Sequence, residues 1–327
     1  GGHLAVIMGI YVARSDCAEF SGPNAIHGNV TGSHAFVMVY RAGREATYTY
    51  FAYPLSAVTA WHREEYAVTI GLNTFQVDKV CLDTSDHPRG VTVVGCVTAT
   101  HVRPLPVDWL HPSAMGVFEY IPFLECKHGI LSMEHRLQGQ FLIDDERIIL
   151  DGGWGYVEKD RGTNFPTEWL WVQANSWMEQ GEPGAPVLAS VSVSIAPVPL
   201  LPGVSLHGLL GVAVLSNGNR DDGTYYFATY EGGRVTHLRT ASPDTVHVVL
   251  HDLTCHVLDI SIRDPAAGQR SVVLHAPRQC GMEMAVRETL GAHVQVALRD
   301  DCENRTLFEA VSANAAFEAV GISSMVV

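Results

Sequence analysis

The sequence predicts an all-β protein whose antiparallel strands close as barrels or sandwiches, with few short helices. Segments in which apolar and polar side chains alternate recur along the whole chain. Pairs of Gly, Asp and Asn separate these segments, and amphipathic helical patterns are scarce. A period of two is the pattern of a half-buried strand, and many such strands at regular spacing are typical of antiparallel sheets that close on themselves.

The strands follow one another from the first quarter of the chain to its end. In the first of them, His34, Phe36 and Met38 share one face while alanine and valine occupy the other. We expect strands at Ser33–Tyr40, Ala46–Tyr53, Tyr66–Leu72, Val91–Thr98, Gly139–Leu150, Glu168–Asn175, Gly223–Tyr230, Val246–Leu250, Val257–Arg263, His293–Arg299 and Leu307–Val311. Only Trp61–Tyr66 and Met282–Leu290 have a helical pattern, and both are short.

Three prolines between Pro104 and Ser113 interrupt the strand pattern and predict a boundary between two β lobes. The predicted N-terminal lobe covers residues 1–112 and the C-terminal lobe covers residues 113–327. A chain of 327 residues is comfortable for two such units.

The composition limits the classes of partner. Hydrophobic residues make up 47% of the chain and charged residues 17%, so a large core can form. A net charge of −14 without clustered Lys or Arg argues against nucleic acid as a partner and against electrostatic docking on anionic lipid.

Seven scattered cysteines without CxxC spacing predict reduced thiols. With no recognisable signal peptide, we expect a cytoplasmic protein.

The segment 183–219 carries no charged residue and is long enough to span a bilayer as a helix. Its five prolines argue against that helix. Val191, Val193 and Ile195 alternate with serines, as in a half-buried strand. We therefore predict a strand, a proline-rich bend and a second strand, and transient contact of this segment with a membrane stays open.

Two neighbouring segments in the middle of the chain combine aromatic and polar side chains on one face. Alternation groups Trp154, Tyr156, Glu158 and Asp160 on the first segment. On the second segment it groups the side chains of Trp169, Trp171, Gln173 and Asn175. Burying such polar groups unpaired costs about 1–3 kcal/mol each, whereas a mixed face suits the lining of a cavity.

These residue types fit acid catalysis next to a cation. Glu158 and Asp160, at positions i and i+2 of a strand, lie roughly 7 Å apart. Apolar surroundings raise a carboxyl pKa, so that one acid stays protonated, and aromatic faces stabilise a nearby cation by about 0.5–2 kcal/mol. The alternative is a structural network in which the two acids pair with Lys159, Arg161 or Arg136.

The segment GGWGYVEKDRGTNFPTEWLWVQANSW, from Gly152 to Trp177, resembles the tocopherol cyclase-like family. The flanking segments Met115–Gly139 and Tyr225–Gly233 resemble it too, and the first hundred residues do so more loosely. Arg161 stands where the family has Trp, and the family's opening strand is missing here. The resemblance implies a two-lobed, lipocalin-like protein that cyclises a prenylated quinol to a chromanol.

In that reaction Glu158 or Asp160 protonates the alkene, and the aromatic side chains Trp154, Tyr156, Trp169 and Trp171 shield the cation. Gln173 and Asn175 bind the quinol head. His34 is either a further lining residue or a hydrogen-bonded core histidine. No cofactor and no metal is expected, and the partner is a hydrophobic small molecule. Two alternatives stay open, a carrier of an isoprenoid ligand and an isoprenoid hydratase.

Overall fold

The structure, a computed structural model, describes residues 3–22, 29–43, 46–62, 66–122, 124–178, 189–201, 204–216, 220–242, 244–264 and 271–322. Antiparallel strands account for most of this part of the chain. They are β1 (His3–Tyr11), β2 (Val30–Thr31), β3 (His34–Ala42), β4 (Thr47–Tyr53), β5 (Val58–His62), β6 (Ala67–Ile70), β7 (Asn73–Phe75), β8 (Lys79–Asp83), β9 (Val93–Arg103), β10 (Cys126–Ile143), β11 (Glu146–Ile149), β12 (Trp154–Gly162), β13 (Trp169–Ala174), β14 (Ala189–Leu201), β15 (Val204–Leu215), β16 (Gly223–Tyr226), β17 (Arg234–Ser242), β18 (Thr245–His251), β19 (His256–Arg263), β20 (Ser271–Arg278), β21 (Gly281–Asp300) and β22 (Arg305–Val320).

The predicted all-β class is confirmed. Within the described residues the only helices are three short 3₁₀ turns, at Leu55–Ala57, Gly116–Tyr120 and Thr229–Glu231. The predicted helix at Met282–Leu290 is wrong, because these residues lie inside β21 and pair with β20 and β22. Of the second helical candidate, Trp61 and His62 end β5, and residues 63–65 lie outside the described part.

The strands form three sheets. The first has the order β1-β3-β4, and the second runs β11-β10-β9-β8-β7-β6-β5 with β12 on the other side of β10. The third runs β16-β15-β14-β13-β22-β21-β19-β18-β17, with β2 and β20 also paired to β21. In the described part no sheet closes on itself, so the layers form sandwiches rather than a barrel.

Strand β3 of the first sheet is buried on both faces. Ala35, Val37 and Val39 pack against the second sheet in one core. Phe36 and Met38 point to the other side, where they pack against β2 and β21. The first sheet therefore lies between the second sheet and part of the third.

The uncharged segment forms the predicted pair of strands, β14 and β15, in the part that the structure describes. Both faces of β14 are buried, not one. Val191, Val193 and Ile195 enter the main core of the third sheet. Ser190 and Ser192 are buried as well, on the face that meets β10 and β12. Among the described residues, we find no helix with the length and apolarity needed to cross a bilayer.

The predicted lobe boundary at residue 112 stays a prediction. The chain crosses it between β9 and β10, which pair side by side in the second sheet from Glu134–Arg103 to Ile143–Val93. The strands that carry the motif of residues 152–177 are thereby attached to both large sheets, β12 to the second and β13 to the third.

Three disulfide bonds correct the expectation of reduced thiols. Cys17 is bonded to Cys280, Cys81 to Cys96 and Cys255 to Cys302, while Cys126 is a free thiol. The first and third bonds join residues 263 and 47 positions apart. Sequence spacing could not reveal them, because only the pairing of distant strands and turns brings these cysteines together.

We predict that the double substitution Cys17→Ser/Cys280→Ser lowers the free energy of unfolding by about 2–5 kcal/mol, because the lost cross-link closes a very long loop. Denaturation without reductant measures the change. The control is Cys126→Ser, which removes the free thiol and is expected to leave stability nearly unchanged. Equal stability of the double variant and the unsubstituted protein would contradict the prediction.

Candidate functional site

The site lies where β12 of the second sheet faces β13, β14 and β22 of the third. Leu170, Val172 and Ala174 of β13 point into the main core. The alternate residues of β13 point towards β12, and the Asn175 amide just beyond the strand donates to the Gly155 carbonyl at 2.8 Å. The two mixed faces predicted from the sequence therefore face each other.

Glu158 and Asp160 meet a histidine from the neighbouring strand. His128 of β10 is the register partner of Asp160, so both side chains lie on the same face of the sheet. The His128 Nδ1 donates to Asp160 Oδ1 at 2.9 Å, and its Nε2 lies 3.6 Å from Glu158 Oε2. The imidazole thus sits between the two acids.

Glu158 is also held by groups from its own strand and from β14. The Tyr156 hydroxyl donates to Glu158 Oε2 at 2.8 Å and lies 3.2 Å from the Ser192 hydroxyl oxygen. The Trp171 ring is near the Tyr156 ring, with centroids 6.5 Å apart. One carboxylate oxygen of Glu158 is therefore fixed by a phenol, beside an indole.

A second pair of acids lies behind Trp171. Glu318 of β22 is the register partner of Trp171 on one side and of Glu288 on the other. The indole Nε1 of Trp169 donates to Glu318 Oε2 at 2.7 Å. Glu288 is buried. Four acidic side chains from three strands therefore share this region with one imidazole.

Burial controls the protonation of these groups. It raises the pKa of Glu158 to about 7 and that of Glu318 to about 8, and it holds the pKa of Glu288 well above its usual range. For His128, burial lowers the pKa, but the Glu158 and Asp160 carboxylates outweigh it and raise the pKa to about 9. At neutral pH the region therefore contains protonated carboxyl groups beside a cationic imidazole.

The Glu158 carboxyl group is desolvated yet keeps partial contact with solvent. The Glu158 side chain retains 27% of its accessible surface and the His128 side chain 12%. A carboxyl group that is desolvated enough to gain a proton, but not fully enclosed, stays accessible. Such a group can transfer its proton to a bound molecule.

The sequence left open that Glu158 and Asp160 pair with Lys159, Arg161 or Arg136. In the structure these three cations contact other groups. Arg161 forms an ion pair with Glu119. The Arg136 guanidinium lies 3.4 Å above the Trp154 ring, and the Lys159 ammonium lies 3.7 Å above the Tyr66 ring. Arg161 therefore does not neutralise the acidic pair, and the partner is His128, whose role the sequence did not reveal.

Several buried donors at the site have no hydrogen-bond partner among the described residues. They are Nε2 of His128, Nε1 of Trp171 and Nε2 of Gln173. Gln173 is 7% exposed and lies on the same face of β13 as Trp171. His128 Nε2 nevertheless faces Glu158 Oε2 at 3.6 Å, and the Trp171 indole stabilises the Glu158 carboxylate. An unpartnered buried donor is costly, so Gln173 Nε2 is the group suited to a ligand that offers acceptor atoms.

Not every predicted site residue joins this group. The Asn175 amide is committed to Gly155, and the Trp154 ring is covered by Arg136. His34 is fully buried on β3, where its ring nitrogens lie 2.7 Å from the Gly32 carbonyl oxygen and 2.6 Å from the Tyr50 hydroxyl. Of the two readings left open for His34, the surroundings match a hydrogen-bonded core histidine.

The structure also shows which groups could hold a cation. Ligand atoms of His128, Glu158 and Asp160 lie within 4.8 Å of one another. The protons on Glu158 and His128 would have to be displaced first, since metal ligands must be deprotonated. The other such group contains Cys255 and Cys302, which are joined in a disulfide and offer no thiolate.

Comparison with family models, with curated proteins and with solved structures finds no match.

Sequence reasoning missed His128, Glu288 and Glu318. Nothing near His128 in the sequence marks it as a site residue, and only the register of β10 with β12 gives it a partner. Glu288 fell in a segment that was predicted to be helical. Glu318 lies 160 positions from Glu158, so nothing local connects them.

We predict that the raised pKa values make stability depend on pH. Glu158, Glu318 and His128 bind protons more tightly in the folded state, so their contribution is complete at low pH and is lost as pH rises through about 7, 8 and 9 respectively. As pH rises from about 5 to about 8, the free energy of unfolding should fall in both proteins. We expect the fall to be roughly 1–3 kcal/mol smaller in Glu158→Gln than in the unsubstituted protein. Chemical denaturation at each pH tests this.

The matched control is Glu309→Gln, which changes an exposed glutamate on β22 and is expected to keep the pH dependence of the unsubstituted protein. If Glu158→Gln shows the same slope as that control, Glu158 does not carry a raised pKa.

Proposed function

We propose that the protein is an acid catalyst of the tocopherol cyclase type, which protonates the isolated alkene of a prenylated quinol and closes a chromanol ring. The observation that carries the proposal is the Glu158 carboxyl group. Burial raises its pKa to about 7, the Tyr156 hydroxyl fixes one of its oxygens at 2.8 Å, and its side chain remains 27% exposed. A carboxyl group with a pKa near the working pH suits general acid catalysis.

Glu158 gives its proton to the less substituted alkene carbon, and a tertiary cation forms on the other. The phenol oxygen then attacks the cation and forms the C–O bond. The phenolic proton returns to the Glu158 carboxylate. Atoms and charges balance without an oxidant or a co-reactant, because the product is an isomer of the substrate.

Aromatic side chains next to the acid support the cationic step. The rings of Tyr156 and Trp171 lie beside Glu158, and Trp169 lies on the same face of β13. Each such ring stabilises a nearby cation by about 0.5–2 kcal/mol. The Asp160 carboxylate adds negative charge on the same side, shared with His128.

The Gln173 amide supports recognition of the quinol head. Its buried Nε2 has no partner among the described residues, and hydroxyl oxygens of a quinol are suitable acceptors. Asn175 has no such part in the proposal, since its amide holds β12 to β13.

An exposed apolar patch supports a lipid-like substrate that is collected from a membrane. Trp109 is 76% exposed and Tyr120 is 61% exposed, and the Tyr120 hydroxyl donates to the Trp109 carbonyl at 2.7 Å. Aromatic side chains of this kind are typical of proteins that touch the membrane–water interface.

The three disulfides favour an oxidising compartment over the cytoplasm that the cysteine spacing suggested.

We predict that Glu158→Gln lowers turnover of a phytyl quinol by about 10²–10⁴-fold, the usual contribution of a general acid. Glutamine keeps the shape of the side chain but has no acidic proton. Chromatography with mass detection measures the chromanol, and circular dichroism checks the fold. Glu309→Gln serves as the control and should retain full activity.

The product of the unsubstituted protein separates the alternatives. A product of equal mass and altered retention supports the cyclase. A bound but unchanged quinol supports a carrier, and a gain of one water supports a hydratase. Full turnover in Glu158→Gln would remove the assigned role of the acid.

We further predict that Arg161→Trp, which restores the residue of the resembling family, leaves turnover nearly unchanged. Arg161 is half-exposed and paired with Glu119, so its charge is screened and directed away from Glu158. The rate and its pH profile are the measurements. An increase of about tenfold or more, equivalent to about 1.4 kcal/mol, would show instead that Arg161 weakens the acid.

A further inference from the structure

A cleft lies between the first sheet and the third sheet, and its described lining residues are separate from those of the Glu158 region. Tyr48 and Tyr50 of β4 form one wall, and residues of β20 and β21 form the other. Arg89, from the turn before β9, completes the lining. The cleft encloses about 300 Å³, which is at the lower end of the range for small-molecule sites.

The inner part of the cleft is aromatic and held by hydrogen bonds. The Tyr48 hydroxyl accepts the backbone N–H of His275 at 3.2 Å and lies 2.8 Å from the His275 Nδ1. The Tyr50 hydroxyl lies 2.6 Å from the His34 Nε2, and the Tyr50 ring centroid is 4.3 Å from that of His275. Burial raises the pKa of both tyrosines, so both phenols are neutral at neutral pH. The two phenols therefore offer a fixed surface without negative charge.

Arg89 brings a permanent positive charge to the cleft. Its guanidinium donates to the Tyr50 carbonyl, which holds it at the β4 wall. Burial lowers the pKa of Arg89, but an arginine at a half-buried position stays protonated at neutral pH. A guanidinium has five N–H donors in a planar fork, so the bond to the carbonyl does not exhaust its capacity to pair with a carboxylate. The charge therefore favours an anionic ligand.

Apolar side chains surround the outer part of the cleft. They are Val272 and Val273 of β20 and Met284 of β21, and Met284 is 49% exposed. Met284 is the register partner of His275, next to a register shift between Leu274 and His275. Such β-bulges are frequent beside functional sites, because they change the direction of a side chain. The cleft therefore combines a cation with an aromatic interior and an apolar mouth.

We propose that this cleft is a binding site for a small carboxylate with an apolar or aromatic body, separate from the site of the proposed reaction. Arg89 pairs with the carboxylate of the ligand, and the body of the ligand lies between the rings of β4 and the side chains of Val272 and Met284. A volume of about 300 Å³ has room for roughly ten non-hydrogen atoms, at about 30 Å³ for each water-sized group. A carboxylate with one ring, such as benzoate, is of this size.

Binding of benzoate tests the proposal. Benzamide serves as a neutral probe of nearly the same shape, and inorganic phosphate serves as an anion without an apolar body. NMR of methionine methyl groups reports binding through the Met284 signal, which Met284→Leu assigns. We expect benzoate to shift this signal in a saturable manner. Benzamide and phosphate should each bind about 10–100-fold more weakly, because benzamide lacks the charge-assisted hydrogen bonds and phosphate lacks the apolar contact.

Substitution of the arginine gives the second test. Arg89→Gln should weaken benzoate binding by about 10–100-fold and leave benzamide binding nearly unchanged. The matched control is Arg220→Gln, which removes an exposed arginine outside the cleft and should keep the affinity for benzoate. Circular dichroism checks the fold of both variants. The comparison of benzoate with benzamide uses the unsubstituted protein, so it decides the question even if Arg89→Gln does not fold.

Three results would overturn the proposal. They are an unchanged Met284 signal at millimolar benzoate, equal affinities for benzoate and benzamide, and phosphate binding as tight as that of benzoate. The outcome does not depend on the proposed reaction, because the cleft and the Glu158 region have different lining residues. A protein that cyclises no prenyl quinol but binds benzoate through Arg89 would refute the proposed function and support this site.

Discussion

The structure depends on one electrostatic constraint, the desolvation of Glu158, Glu288 and Glu318 near the imidazole of His128. These three carboxyl groups cannot all be ionised, because desolvation and mutual repulsion would each cost several kcal/mol. Protonation of some of these groups removes the repulsion. Burial that would destabilise an anionic cluster therefore keeps acidic protons bound near neutral pH.

The architecture around the cluster follows from that constraint. A polar layer between two sheets needs neighbouring strands with one apolar face and one hydrogen-bonding face, and β14 is such a strand. Its valines enter the main core, while Ser190 donates to the Met133 carbonyl at 2.7 Å and Ser192 lies beside Tyr156. On the other side, Gly155 lets β12 approach closely, since a Cβ atom there would overlap the His135 ring. The uncharged serine–valine segment thus belongs to the site rather than to a membrane span.

Alternation predicted many of the strands, though not β1, β8, β17 or β20, and it predicted the division of faces in β3, β12 and β13, because side chains on a strand must alternate. It could not predict which strand lies opposite which. His128 and Glu318 reach the site only through pairings between segments about 30 and 160 positions apart, and the disulfides depend on similar pairings. The false helix at Met282–Leu290 has a related cause. A short apolar pattern fits the period of a helix as well as that of a strand. Here the segment belongs to the 20-residue strand β21 because it pairs with β20 on one side and with β22 on the other.

The raised pKa of Glu158 has a chemical cost that the surroundings must offset. A carboxyl group with a pKa of about 7 is a weaker acid than a free glutamic acid, although it is more often protonated at neutral pH. In the proposed reaction, protonation of an isolated alkene is demanding, so the acid's occupancy alone would not supply the rate. The remaining stabilisation would have to act on the cation, through the faces of Tyr156 and Trp171 and through the negative charge left on Glu158 and Asp160. Aromatic rings and acids on one face of two opposed strands would meet both needs of the proposed chemistry, which requires the two together.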